Sequence, residues 1–209
     1  MAGGALARLR APARAEQRGD SSFFHAMTTT HAVSIPAPQP GEYASFYAGY
    51  VAAVAGVDLR ALLARQMDRL DTACAALSDA DALARYAPGK WSVKEVLGHL
   101  ADVERIFAYR ALRIARGDAT PLPGFDENAY VAAAGSDARP LASLREELRG
   151  VRASTLAVFA SSAPGAWERR GTASGAGVSV RALAHMTAGH VEHHLGILRE
   201  RYGLAVPAA

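Results

Sequence analysis

The stretch Ser92-Val93-Lys94-Glu95-Val96-Leu97-Gly98-His99-Leu100 decides how the rest of the chain is read. Ser92 followed by Glu95 has the spacing of a capping box, in which each side chain satisfies the other residue's amide at the start of a helix. The spacing predicts a helix from Val93 to about Arg116, stopped by Gly117. Val96, Val103, Ile106 and Phe107 recur on one face of it, and His99 falls among them. A single histidine on an apolar face is most simply a hydrogen-bonded core residue. Its meaning depends on what a second helix brings to it.

Three more helices follow from the same kind of signal. Asp58 is a fitting N-cap for a helix to about Leu77, with Leu59, Leu62, Leu63, Met67, Leu70 and Cys74 as its buried stripe. Another is expected from Leu141 to Ala160, with Leu144, Leu148, Val151, Leu156 and Phe159 inward. Ser179 caps the last, from Val180 to about Tyr202, and Gly203 and Pro207 end it. Between Glu42 and Val54, the residues Tyr43, Phe46, Tyr47, Tyr50 and Val51 make the aromatic face of a short additional helix. The stretch from Gly117 through Pro121, Pro123 and Gly124 to Tyr130 is expected as a long loop, and Gly171 to Gly177 as a linker. Four helices of similar length without strand alternation predict an all-α four-helix bundle over residues 41–205.

Residues 1–40 lack helical periodicity and end in Ile35-Pro36-Ala37-Pro38-Gln39-Pro40, so they are expected to form a disordered leader, with Met27 as an alternative start. The remainder has the bulk for one core: half of the 209 residues are hydrophobic and alanine dominates them. The net charge of +3 carries no basic stripe, which argues against a nucleic-acid partner. One cysteine, Cys74, excludes an internal disulfide and a cysteine-rich zinc module, and fits the cytoplasm. No apolar run of about 20 residues is present, so no membrane span is expected.

His190 and His194 stand four apart on the last helix, about 40° apart around its axis on adjacent turns, where two imidazoles can share one ion. His99 is the natural third ligand. His185 is turned about 140° from His190 on an ideal helix. His193 is about 60° to the other side, so both are expected to stay off the ion. Glu192 sits where neither end of a His-Glu-x-x-His protease motif would place its general base, which makes peptide hydrolysis a poor reading. Three neutral imidazoles suit Zn or Ni, and with less preference Fe or Mn. They leave positions for water or another ligand, an arrangement suited to Lewis-acid chemistry.

Several other residues have two readings each. Asp102, one turn after His99, either orients a ligand or is a surface carboxylate. Glu127 and Asn128 either reach the site from their loop or cap that loop. Trp91 and Trp167 read as packing residues. Arg105, Arg110, Arg113 and Arg116 read as solvated or interhelical, with a carboxylate ligand as the sharper alternative.

The combination Pro88-Gly89-Lys90-Trp91-Ser92 with Gly98-His99-Leu100, Arg105-Ile106-Phe107, Arg110-Ala111-Leu112, Arg116-Gly117-Asp118, Gly124-Phe125-Asp126-Glu127-Asn128-Ala129-Tyr130 and Gly189-His190 with His194 resembles the DinB/YfiT-like superfamily of metal-dependent hydrolases and thiol transferases. The resemblance runs from Pro40 to about Tyr202. It implies a four-helix bundle with a short additional N-terminal helix and a divalent metal on His99, His190 and His194. It also implies a small-molecule substrate such as a low-molecular-weight thiol, activated at the metal to attack an electrophile, and a homodimer. The contrasting expectation is a non-catalytic metal-binding, stress-response bundle acting through protein partners.

Overall fold

The computed structural model describes residues 34–208, so the expectations for residues 1–33, Met27 included, lie outside the described residues. The chain runs through α1 (Ala48–Ala53), α2 (Leu59–Cys74), α3 (Val93–Ala115), α4 (Glu127–Ala134), α5 (Leu141–Ala160), the strands β1 (Arg170–Ala173) and β2 (Ala176–Ser179), and α6 (Val180–Tyr202). The long helices α2, α3, α5 and α6 form the bundle. α3 packs against α5 and α6, and α2 packs against the same two, which places α2 and α3 on a diagonal.

The expected caps form. Asp58 accepts from the amides of Arg60 and Ala61, and Ser179 from that of Ala182. Ser92 and Glu95 make the full reciprocal box at the start of α3. All six residues of the α2 stripe are buried, Cys74 among them. Gly117 and Gly203 take left-handed φ values of 84° and 70°, which ends α3 and α6 at the residues where a side chain would be strained.

Three segments differ from expectation. The loop after α3 contains α4, whose cap Asp126 accepts from the amides of Asn128 and Ala129. Only Val131 of that helix is buried, so there was no apolar stripe to announce it. The Gly-rich linker is an antiparallel hairpin in which Ala173 pairs with Ala176 across Ser174 and Gly175. Both turn residues have positive φ, 52° and 76°, as a type I′ turn requires. Leu122 holds the hairpin's edge by donating its amide to Thr172 and accepting from that of Ser174. Finally, the proline-rich stretch before residue 41 is not free of contacts, because Ile35 is buried in the core. Among the described residues no helix is long and apolar enough to cross a membrane.

A buried polar network ties the four long helices. Arg152 on α5 forms two parallel hydrogen bonds to Glu104 on α3, at 2.6 and 2.7 Å, with both side chains almost fully enclosed. The same guanidinium donates to the Leu63 carbonyl and to Gln66 Oε1 on α2. Gln66 Nε2 in turn donates to the Ala188 carbonyl and to Glu192 on α6, and Arg69 pairs with Glu192 as well. Two desolvated charges persist here because they pair bidentately and four of the five guanidinium N–H groups have a partner.

Breaking that network is expected to cost far more than a surface change. Arg152→Ala strands the Glu104 carboxylate and should destabilise the protein by about 3–5 kcal/mol in urea denaturation. A loss comparable to that of an exposed substitution, within about 0.5 kcal/mol, would show that the pair does not organise the bundle.

Candidate metal centre

His99 projects from α3, and His190 and His194 from α6, into the space between the two helices. One ring nitrogen from each lies within 4.8 Å of the others. His99 Nε2 and His190 Nε2 are 3.0 Å apart, and the three ring centroids are separated by 4.6–5.0 Å. All three rings are buried, with 4 to 6% of each residue exposed.

Burial sets their protonation. Desolvation, helped by the like charge of His193, pulls His99 down from 6.5 to about 4. His190 and His194 are pushed well below 6.5, again chiefly by burial and secondarily by the neighbouring histidines. At neutral pH the cluster therefore presents lone pairs rather than positive charge. His194 Nδ1 is buried without a hydrogen-bond partner among the described residues. A buried imidazole nitrogen left without a protein partner is the observation that a metal ligand at this point would explain.

Close helix approach builds the enclosure. A Cβ on Gly189, just before His190, would fall 2.0 Å from the Tyr50 carbonyl oxygen, so only glycine lets α1 lie on α6 at this level. A Cβ on Gly98, just before His99, would come within 2.3 Å of Ser136 Oγ. The Tyr50 ring then lies 5.4 Å from that of His190. Trp91 packs 4.6 Å from His99 and nearly parallel to His194, and the Tyr202 hydroxyl donates to the Trp91 carbonyl. Trp91 is thus a wall of the site as well as a packing residue, whereas Trp167 lies in the core against Phe159.

The remaining residues sort cleanly. His185 is buried away from the cluster and donates Nδ1–H to the Arg181 carbonyl. His193 is exposed and outside the triad, though it faces the adjoining cavity. Glu192 is taken up by Gln66 and Arg69. Asp102 pairs with Arg105 at 3.4 Å and is not in the cavity wall. The arginines are engaged elsewhere: Arg105 with Glu147, Arg110 with the Pro123 carbonyl and Ser174, Arg113 with Asp118, Arg116 with Ser161. Glu127 and Asn128 do reach the site, from the first turn of α4.

A cavity of about 280 Å³ opens from the histidines to solvent, walled by His99, His194, His193, Tyr50, Trp91, Lys90 and Glu127, among others. A larger hollow of about 510 Å³ between α3 and α5 has no comparable convergence of ligating groups, so size alone does not mark the site. Tyr50 was missed as a site residue in the sequence. The glycine directly preceding each of His99 and His190 was the available signal of close packing there.

Residues 62–198 match the family model of the DinB superfamily. No curated protein matches the chain. Among solved structures, the chain is similar to YfiT from Bacillus subtilis, with 18% identity and a TM-score of 0.62 over 69% of this chain and 86% of that one. That protein is described as "a probable metal-dependent hydrolase with an unusual four-helix bundle topology". At this identity the likeness speaks for the fold, and the bundle of α2, α3, α5 and α6 agrees with it.

The depressed histidines make stability pH-dependent with a definite sign. Above 6.5 these groups are neutral whether the chain is folded or not. As pH falls from 6.5 towards about 4, the unfolded chain takes up protons that the folded one refuses, so stability is lost across that window. Urea denaturation of metal-free protein should show this decline, and His99→Ala should make it shallower. An equal slope in both proteins would contradict the burial account.

Proposed function

Because the chain belongs to the DinB superfamily, we propose that it is a divalent-metal-dependent enzyme acting on small molecules, of the thiol S-transferase or hydrolase type, with the ion held by His99, His190 and His194. The observation that carries this reading is the convergence of three buried, neutral imidazoles, two of which, His99 and His194, line an open cavity. A purely structural ion would need no such access. The description of YfiT as a probable metal-dependent hydrolase supports the same reading.

The donor set fits the group. Three imidazole nitrogens suit Zn or Ni best, and Fe or Mn less well. The buried, unpartnered Nδ1 of His194 fits the same chemistry. A bound divalent ion supplies Lewis acidity at this point, polarising a ligand and making water or a thiol more acidic near neutral pH.

What the chain itself contributes can be derived from its residues. Burial keeps protons off the three rings, so their lone pairs stay available down to mildly acidic pH. The Trp91, Tyr50 and Phe107 rings pack around the imidazoles, fix their orientation and limit water behind them. The Tyr202 hydroxyl, by holding the Trp91 carbonyl at 2.5 Å, keeps that wall in place. Lys90 and Glu127, both exposed, stand in the wall of the cavity that a substrate would enter.

Metal content measured beside activity tests this. His99→Ala should weaken metal binding by more than about 100-fold, beyond the roughly 10–100-fold that loss of a residue behind a ligand costs. It should also abolish any thiol-transfer or ester-hydrolysis activity found with the as-isolated metal form. His185→Ala and His193→Ala should keep the full metal complement. Undiminished affinity in His99→Ala excludes it as a ligand, and activity surviving complete metal removal excludes a catalytic ion.

A further inference from the structure

The cavity wall beside the histidines carries two opposite charges that the protein leaves unmatched. Lys90 is exposed there, and its ammonium has no ion-pair partner among the described residues, whereas Lys94, the chain's other lysine, is held by Asp79. Glu127 lies in the same wall with its carboxylate free of hydrogen bonds and ion pairs among the described residues. Its neighbours behave otherwise: Asp126 caps α4, while Glu95, Asp137 and Glu192 are all engaged by arginines. Lys90 and Glu127 do not pair with each other, so they stand as separate charges facing one space.

Charges in a half-enclosed cavity are costly to leave unmatched once a ligand displaces their water. A ligand bearing only one charge would satisfy one residue and desolvate the other. The aromatic walls add a preference on one side, since the faces of Tyr50, Trp91 and Tyr202 attract an ammonium group. The volume of about 280 Å³ is at the small end for ligand sites and admits a molecule of amino-acid size.

We propose that this cavity binds a small zwitterion, a compound of amino-acid size bearing both an ammonium and a carboxylate group, with Lys90 taking the carboxylate and Glu127 the ammonium. The inference rests on the reading of this cavity as the substrate site and names the class of molecule that enters it. The remainder of the ligand then points along the cavity towards His99 and His194.

Nitrogen-15 heteronuclear spectra of zinc-loaded protein, titrated with norvaline, pentanoate and butylamine, test the proposal. The three probes share an alkyl chain and differ in charge, and the spectra also report whether each variant is folded. Norvaline should bind more tightly than either singly charged probe by about fivefold, the upper range for a solvent-exposed ion pair. Lys90→Met should weaken norvaline and pentanoate but not butylamine, and Glu127→Gln should weaken norvaline and butylamine but not pentanoate. The same pattern should persist in metal-free protein, because neither residue is placed on the metal. Equal affinities for the three probes, losses that ignore charge, or no saturable binding of norvaline would overturn the proposal. Failure to take up zinc, with the charge pattern intact, would instead count against the metal reading.

Discussion

Holding three buried imidazole nitrogens within 4.8 Å of one another demands that α3 and α6 keep a fixed register, and much of the remaining structure serves that demand. A slip of one residue on either helix would turn a ring by about 100° and disperse the cluster. The register is secured from both sides. Glu104 and Arg152 lock α3 to α5, while Gln66 joins that pair to the Ala188 carbonyl and to Glu192 on α6. The contacts on α6 thus bracket His190. On the opposite side, Gly189 lets the backbone of α1 sit against α6 and delivers Tyr50 to the His190 ring.

The same arrangement sorts charge from chemistry. Acidic groups near the histidines in sequence are neutralised by the scaffold: Glu192 by Gln66 and Arg69, Asp102 by Arg105. The triad is left with donors that carry no charge of their own, so the charge of a bound cation would not be reduced by a carboxylate among the three ligands. Hydrophobic burial and polar satisfaction are therefore not competing designs here. The polar network fixes position, and the apolar rings around the triad fix protonation.

Much of this was legible in the sequence because the strongest signals are local. The Ser92–Glu95 box, Asp58, Ser179 and the glycines at 117 and 203 each act within a few residues, and they delimit helices as expected. The four-residue spacing of His190 and His194 is likewise a property of one helix. What was not legible depends on distant partners. The hairpin at Arg170–Ser179 has little β-branched character and is held at its edge by Leu122, some fifty residues earlier in the chain. α4 shows no apolar stripe because it buries only Val131, although Asp126 and Gly135 mark its ends. Ile35 reads as part of a proline-rich leader until the core that receives it is known. Tyr50 reads as one aromatic among several on a short helix, and its place beside His190 follows from a backbone contact at Gly189 that no periodicity encodes.

The central claim is that one ion is held by three imidazoles and no carboxylate. X-ray absorption spectroscopy on zinc-loaded wild-type protein tests it most directly, because imidazole rings leave a multiple-scattering signature that carboxylates and water lack. The account predicts one zinc per chain whose absorption is fitted by three imidazoles with the remaining ligands light atoms from outside the chain. Fewer than three imidazoles, a protein carboxylate in the coordination shell, or a metal that binds without occupying His99, His190 and His194 would contradict it.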